Sequence, residues 1–219
     1  MGKYSKNHTE YFNDKGVEVP SVTTILKILN KPTLVPWANF LGWKRQKVAD
    51  ILTESSLKGV MVHALIESNL LDKYFLFIPV KGCDYHILST IFRNFLGWKE
   101  KNDIEAEFME KKIVGDKFGG TIDFYGNING KRTIMDIKTS KGLYIGMVLQ
   151  LAAYTILLEQ EGYEYEQVAI LNINEKECKL TTFSKDYIQK YRDIYLKLAD
   201  LFVPYFDAGK EDKWGDLIG

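Results

Sequence analysis

An aspartate closes a glycine-led apolar run, Gly119-Gly120-Thr121-Ile122-Asp123, and thirteen positions later Asp136-Ile137-Lys138 lies inside a second apolar run. Side chains alternate along a strand, so Asp136 and Lys138 project to one side while Met135 and Ile137 project to the other. Two carboxylates and a lysine on one sheet edge suit hydrolysis of a phosphodiester with a divalent cation, Mg2+ or Mn2+. Asp123 and Asp136 are the expected ligands, with the backbone carbonyl of Ile137 facing the same ion. Lys138 is placed to orient the attacking water or to neutralise developing negative charge. An isolated Asp-x-Lys is usually a solvated strand edge with a surface ion pair. Here both runs are apolar enough to be buried strands, where an unpartnered charge is costly.

The elements that must hold these residues can be read from the pattern. Tyr11 to Val19 reads as a short hairpin turning at Asp14-Lys15-Gly16, and Ser21 as the cap of a helix over 22–26. Lys31-Pro32-Thr33 ends that helix, and a second begins at Pro36. There Trp37 and Trp43 stand beside Lys44, Arg45 and Lys47. Such a mixture can stack on bases and meet phosphates, with Trp37 as the candidate contact. The ordinary alternative is tryptophan in the core with lysines on its solvated face.

A third helix is expected from Leu57 to Leu71, with His63 and Glu67 four apart on one face. A lone histidine among apolar neighbours is more often a satisfied core group than a ligand. Tyr85 to Trp98 has helical periodicity. Strands follow at 105–114, around Asp123, and at 133–139, forming an antiparallel meander; Glu107 and Glu110 are the acids of the first. An apolar helix over 148–159 must then cross the sheet. Strands at 167–172 and 178–183 and a long amphipathic helix capped by Ser184 complete the chain, and the tail from Asp207 reads as surface. The expected fold class is α/β (α+β), with a mixed central sheet flanked by helices. One domain is expected over 1–219, made of an N-terminal helical elaboration (1–57) and a core (58–207).

Composition narrows the class without deciding it. The 219 residues carry 29 basic and 29 acidic side chains, so the formal net charge is zero. That counts mildly against nucleic acid as a partner but does not exclude a local basic footprint. The cysteines, Cys83 and Cys178, form no CxxC pair, so no four-cysteine zinc site or iron–sulfur cluster is expected. No secretory h-region and no membrane-length apolar run occur, so a cytoplasmic protein without a membrane partner is expected. Gly2 lacks the serine or threonine of a myristoylation signal, since position 6 is Lys6, and the sequon at Asn7 is idle without secretion.

Taken in order, Gly59-Val60-Met61-Val62-His63, an acid (Glu110, with Glu107 as the alternative), Gly120-Thr121-Ile122-Asp123, Asp136-Ile137-Lys138-Thr139 and Gln150-x-x-x-Tyr154 resemble the ordered motifs of the PD-(D/E)xK nucleases. The branch they resemble is the RecB-type and phage-type exonucleases, which includes CRISPR-associated RecB-like nucleases and the mitochondrial genome maintenance exonuclease. Pro20-Ser21-Val22-Thr23 and Leu34-x-x-Trp37 are similar to phage-type members, and the resemblance covers residues 18–205.

It implies a restriction-endonuclease-like core and these roles: His63 beside metal or scissile phosphate, Glu110 holding metal or water, Asp123 and Asp136 ligating metal, and Lys138 catalytic. Gln150, Tyr154 and Lys141 would position the site or the DNA backbone. Ile122 stands where other branches have proline. The cysteines of iron–sulfur members are missing, which disfavours a CRISPR-associated assignment.

The implied activity is a metal-dependent DNA exonuclease acting on single-stranded DNA or a free end, in recombination, repair or replication. Partners compatible with it are a homo-oligomer or a single-strand-binding or annealing protein. An endonuclease of the same fold and a catalytically silent DNA-binding module are the alternatives.

Overall fold

The computed structural model describes residues 9–29, 31–74, 82–140 and 142–211, with side chains to residue 207. The chain opens on a two-stranded hairpin, β1 (Tyr11–Phe12) and β2 (Glu18–Val19), and a short helix α1 (Val22–Ile25) that runs into a 3-10 turn at Leu26–Ile28. Ser21 caps α1 by accepting from the Thr24 N–H. Helices α2 (Leu34–Trp43), α3 (Val48–Leu70) and α4 (Tyr85–Lys99) follow. The sheet is built from β3 (Ile104–Val114), β4 (Gly119–Ile128), β5 (Lys131–Lys138), β6 (Gln167–Ile173) and β7 (Cys178–Ser184), in that spatial order. Helix α5 (Ile145–Gln160) links β5 to β6, and α6 (Lys185–Glu211) closes the chain.

All neighbours pair antiparallel except β5 and β6, which run parallel. Parallel neighbours cannot be joined by a hairpin, so α5 must cross the sheet to connect them. From Val148 to Leu158 every α5 residue is buried, between the sheet on one side and Val22, Ile25, Ile188, Tyr195 and Ala199 of α1 and α6 on the other. That burial explains a helix apolar all round. The opposite sheet face is covered by α3 and α4 through Val62, Ile66, Leu88, Ile91 and Phe95. The expected class, a mixed sheet flanked by helices with helices at the N-terminus, is the observed one. No helix among the described residues is long and apolar enough to cross a membrane.

Two boundaries differ from the sequence pattern. Helix α3 starts at Val48 rather than Leu57. The Thr53-Glu54-Ser55-Ser56 run looks like a break, but the Thr53 hydroxyl donates back to the Ala49 carbonyl at 2.8 Å and is satisfied inside the helix. Helix α2 begins at Leu34, which puts Pro36 in its first turn, where a missing N–H costs nothing.

Gly120 is required by a close approach. A Cβ there would lie 2.7 Å from a ring carbon of Tyr154 and 3.3 Å from Val22. Tyr154 is buried and bonded to Gln150, so its ring has nowhere to go. Gly120→Ala is expected to lower stability by about 1–3 kcal/mol through overpacking, read as a lower denaturation midpoint at unchanged m-value.

Candidate metal and active site

Strands β3 and β4 change phase at one level. On β3, Phe108 and Lys111 both reach Tyr163, at 5.3 Å between ring centroids and 2.6 Å from ammonium to hydroxyl, though they stand three residues apart. On β4, Ile122 and Tyr125, also three apart, belong to the same core layer while Phe124 belongs to the other. The register shifts earlier, between Ala106 and Phe108, but not across this level: Met109 pairs with Phe124 and Lys111 with Ile122. The flip is therefore taken up by the intervening Glu110 and Asp123. Glu110 has φ +50, a left-handed conformation unusual for glutamate. Such a conformation persists only where its surroundings hold it, and it puts the Glu110 carboxylate against α3.

Beyond Phe124↔Met135 the ladder between β4 and β5 stops. In its place the Asp123 carboxylate accepts the Ile137 N–H at 2.8 Å. His63 reaches into this notch from α3. One ring nitrogen, Nδ1, is 3.0 Å from Glu110 and 3.8 Å from Asp123; the other, Nε2, is 3.0 Å from the Ile137 carbonyl oxygen. Gly59, one turn earlier on α3, faces Thr139 Oγ1, to which a Cβ would come within 3.8 Å. One donor atom from each of His63, Glu110 and Asp123 lies within 4.8 Å of the others, a spacing that could hold a metal ion.

On the other side of β5, Asp136 is fully buried, and the Lys138 ammonium lies 2.8 Å and 2.7 Å from its two oxygens. Only the first contact has hydrogen-bond geometry, so Asp136 Oδ2 is a buried oxygen without a hydrogen bond. Asp136 stands outside the His63–Glu110–Asp123 cluster.

Burial alone would lower the pKa of His63, but the Glu110 hydrogen bond and the charges of Asp123, Glu110 and Asp136 outweigh it and raise it to about 9. That agrees with the geometry, since a carboxylate and a carbonyl can only accept and both ring nitrogens must then donate. Burial raises Asp136 to about 6 against the pull of Lys138, with Asp123 adding to the rise. Burial raises Asp123 as well, opposed by His63 and Lys138. Burial would lower Lys138, yet Asp136 and Asp123 hold it above its ordinary value.

The remaining sequence candidates are distributed around this notch. Glu107 is ion-paired with Arg132 at 2.9 Å, six residues before Lys138 on β5 and about 20 Å along the strand, so Glu110 is the acid brought to His63. Gln150 donates to the Tyr154 hydroxyl at 2.6 Å, and both are buried on the α5 side, with Tyr154 feeling the charges of Asp123 and Asp136. Trp37 is half-buried on α2. Lys141 lies outside the described residues, as do the first eight residues and the last eight.

One contributor went unnoticed in the sequence. Asn172, level with Lys138 on β6, donates to the Ser140 carbonyl at 2.8 Å and ties down the chain as it leaves the site. An asparagine inside the apolar run Ala169-Ile170-Leu171-Asn172-Ile173 was its only signal.

No family model matches the sequence, and no curated protein matches it. Among solved structures the chain is similar to SSO0001, at 24% identity over 49% of this chain and 55% of that one, with a TM-score of 0.28. It is also similar to a candidate exonuclease from Eubacterium rectale, at 13% identity over 67% of this chain and 68% of that one, with a TM-score of 0.39. The chain thus spans little more than half the length of the first. Likenesses this distant carry nothing about chemistry, which rests on the residues themselves.

In the metal-free protein the His63 ring should titrate near pH 9 by NMR, and Glu110→Gln should bring that value down. The raised pKa means that the stability contributed by the His63 cation is complete below about pH 6.5 and lost as pH rises through about 9. A metal must compete with that proton, so Mn2+ affinity should rise between pH 7 and pH 9, about tenfold per unit at most. A flat affinity over this range would take His63 out of the ligand set.

Proposed function

We propose that this chain is a Mg2+- or Mn2+-dependent deoxyribonuclease that digests DNA from an end and takes single-stranded DNA. The observation that carries the reading is the convergence of Glu110 and Asp123 on His63 where β4 and β5 part, with the buried Asp136–Lys138 pair flanking Ile137 on β5. The donor set fits a hard divalent cation: carboxylate oxygens of Glu110 and Asp123, one imidazole and, beside them, the Ile137 carbonyl. Asp136, whose second oxygen lies against the Lys138 ammonium, would have to exchange that contact to join them. Such an ion supplies charge neutralisation on the phosphate and a more acidic water.

The chain's own residues do the rest. Lys138, held by Asp136 on the same face of β5, is positioned to hold a water by donating to its oxygen and to meet negative charge as it develops. Asp136 and Asp123 hold the Lys138 pKa above its ordinary value, so beside them it is a cation at neutral pH. Asp123 holds the Ile137 N–H, and in an extended strand the carbonyl of the same residue points to that same edge. Tyr154 and Gln150 brace Gly120 and the start of β4 from behind.

Linear and circular single-stranded DNA, incubated in Mg2+, Mn2+ or EDTA, test the proposal. Metal-dependent loss of the linear form alone is expected, with Lys138→Ala and Asp136→Ala each slower by at least roughly 10²–10³-fold. Cutting of the circle would make the enzyme an endonuclease. Undiminished cleavage by Asp136→Ala would remove this site from the chemistry.

A further inference from the structure

Between Val19 and Ala49 there is no acidic residue, and the five charged side chains are Lys27, Lys31, Lys44, Arg45 and Lys47. In a chain whose net charge is zero, this is a segregated basic segment. All five are exposed, and none forms an ion pair among the described residues.

The same segment displays apolar side chains that a core reading would bury. Trp43 is 89% exposed and Phe40 53%, while Leu41 is the buried residue of α2. The end of α2 is held rigidly, with the Lys44 N–H on Phe40, the Arg45 N–H on Gly42 and the Gln46 N–H on Leu41, and Arg45 in the left-handed cap conformation at φ +54. Lys44 already lies over the Phe40 ring at 4.5 Å. Exposed aromatic faces interleaved with unpaired cations on an ordered turn are the components of a surface that stacks bases and tracks phosphates.

A route leads from this turn to the notch. Helix α3 begins at Val48, and His63 lies about 22 Å further along its axis. At 3.6 residues per turn, Leu52, Ser56, Gly59 and His63 fall within roughly 60° of one another, whereas Asp50 and Glu54 lie roughly 140° and 180° from His63. The cavities agree with this geometry. Gly59, Val60, His63, Glu67 and Glu110 line one together, its two acids at or beyond the His63 end, while Glu54 lines another with Cys83 and Ile87, towards α4. The strip of α3 between the basic turn and the site is therefore free of acid.

We propose that Trp43, Phe40, Lys44, Arg45 and Lys47 form a binding site for unpaired nucleic acid, which feeds the strand along α3 to His63. The assignment of the α3 end to a nuclease centre rests on the reading above; the binding site itself does not. Its occupant is a polyanion with flat faces, because among the described residues no acid pairs with these cations and Trp43 is 89% exposed.

The test uses the full chain in EDTA, so that binding is read without cleavage, and a fluorescein-labelled oligo-dT of about 20 nucleotides by anisotropy. Trp43→Ala should weaken binding roughly tenfold, and Trp43→Phe should restore part of it. Lys44→Ala and Arg45→Ala should each flatten the dependence of log Kd on log salt by roughly 0.7. Because these side chains are exposed, thermal unfolding should be unchanged, which separates lost binding from lost fold. Wild-type affinity and salt slope in all of these variants would overturn the site. So would Trp43-dependent binding to phosphatidylserine vesicles without oligo-dT binding, which would make this face a membrane contact. If oligo-dT binds through Trp43 but nothing is cleaved in Mg2+ or Mn2+, the site stands and the nuclease reading fails.

Discussion

The hydrogen bond from the Ile137 N–H to the Asp123 carboxylate is the contact on which the site depends. Two antiparallel strands normally satisfy each other's main-chain groups to their ends. Here a side chain takes over from the ladder, and β4 and β5 can part without leaving a buried N–H orphaned. The gap exposes the Ile137 carbonyl to His63 and admits carboxylates where a packed sheet would admit only apolar side chains.

Such a gap is costly to keep. Glu110, Asp123 and Asp136 face two cations, His63 and Lys138, so with all groups ionised the cluster keeps one excess negative charge. Desolvation works against that charge and moves the pKa of both aspartates upward. Each buried carboxylate has a cation or N–H in contact, yet one Asp136 oxygen has no hydrogen bond. In this arrangement the His63 cation touches the same Glu110 and Ile137 oxygens that would receive a metal, and it offsets their charge. Binding a divalent ion and deprotonating His63 are then two sides of one equilibrium.

Around this centre the scaffold is packed on both faces of the sheet. One apolar layer joins α1, α5 and α6 to the sheet, and a second joins α3 and α4 to its other face. His63 comes from the second side; Gln150 and Tyr154 press from the first. The strain at Glu110 is tolerable because Met109 and Ile113, close by on either side of it, are buried in opposite layers and fix the strand there.

Local patterns in the sequence carried much of this. Period-two alternation placed Asp136 and Lys138 together and Met135 and Ile137 in the core, because β5 keeps a regular extended backbone there. The cap at Ser21, the apolar crossover helix and the mixed sheet were legible for the same reason: each follows from nearest-neighbour rules. Whether Glu107 or Glu110 belonged to the site was not, since strict alternation puts three-apart residues on opposite faces and says nothing of a left-handed residue between them. Arg132, distant in sequence, took Glu107 away. The fate of the tryptophans was equally undecided, because helical spacing cannot tell a buried face from one that no other element covers. Only the tertiary structure, by leaving the end of α2 outside both layers, made Trp43 a surface residue. Residue types and order thus fixed which chemistry the chain could do, while contacts between distant segments decided which acids share a charge and which aromatics meet solvent.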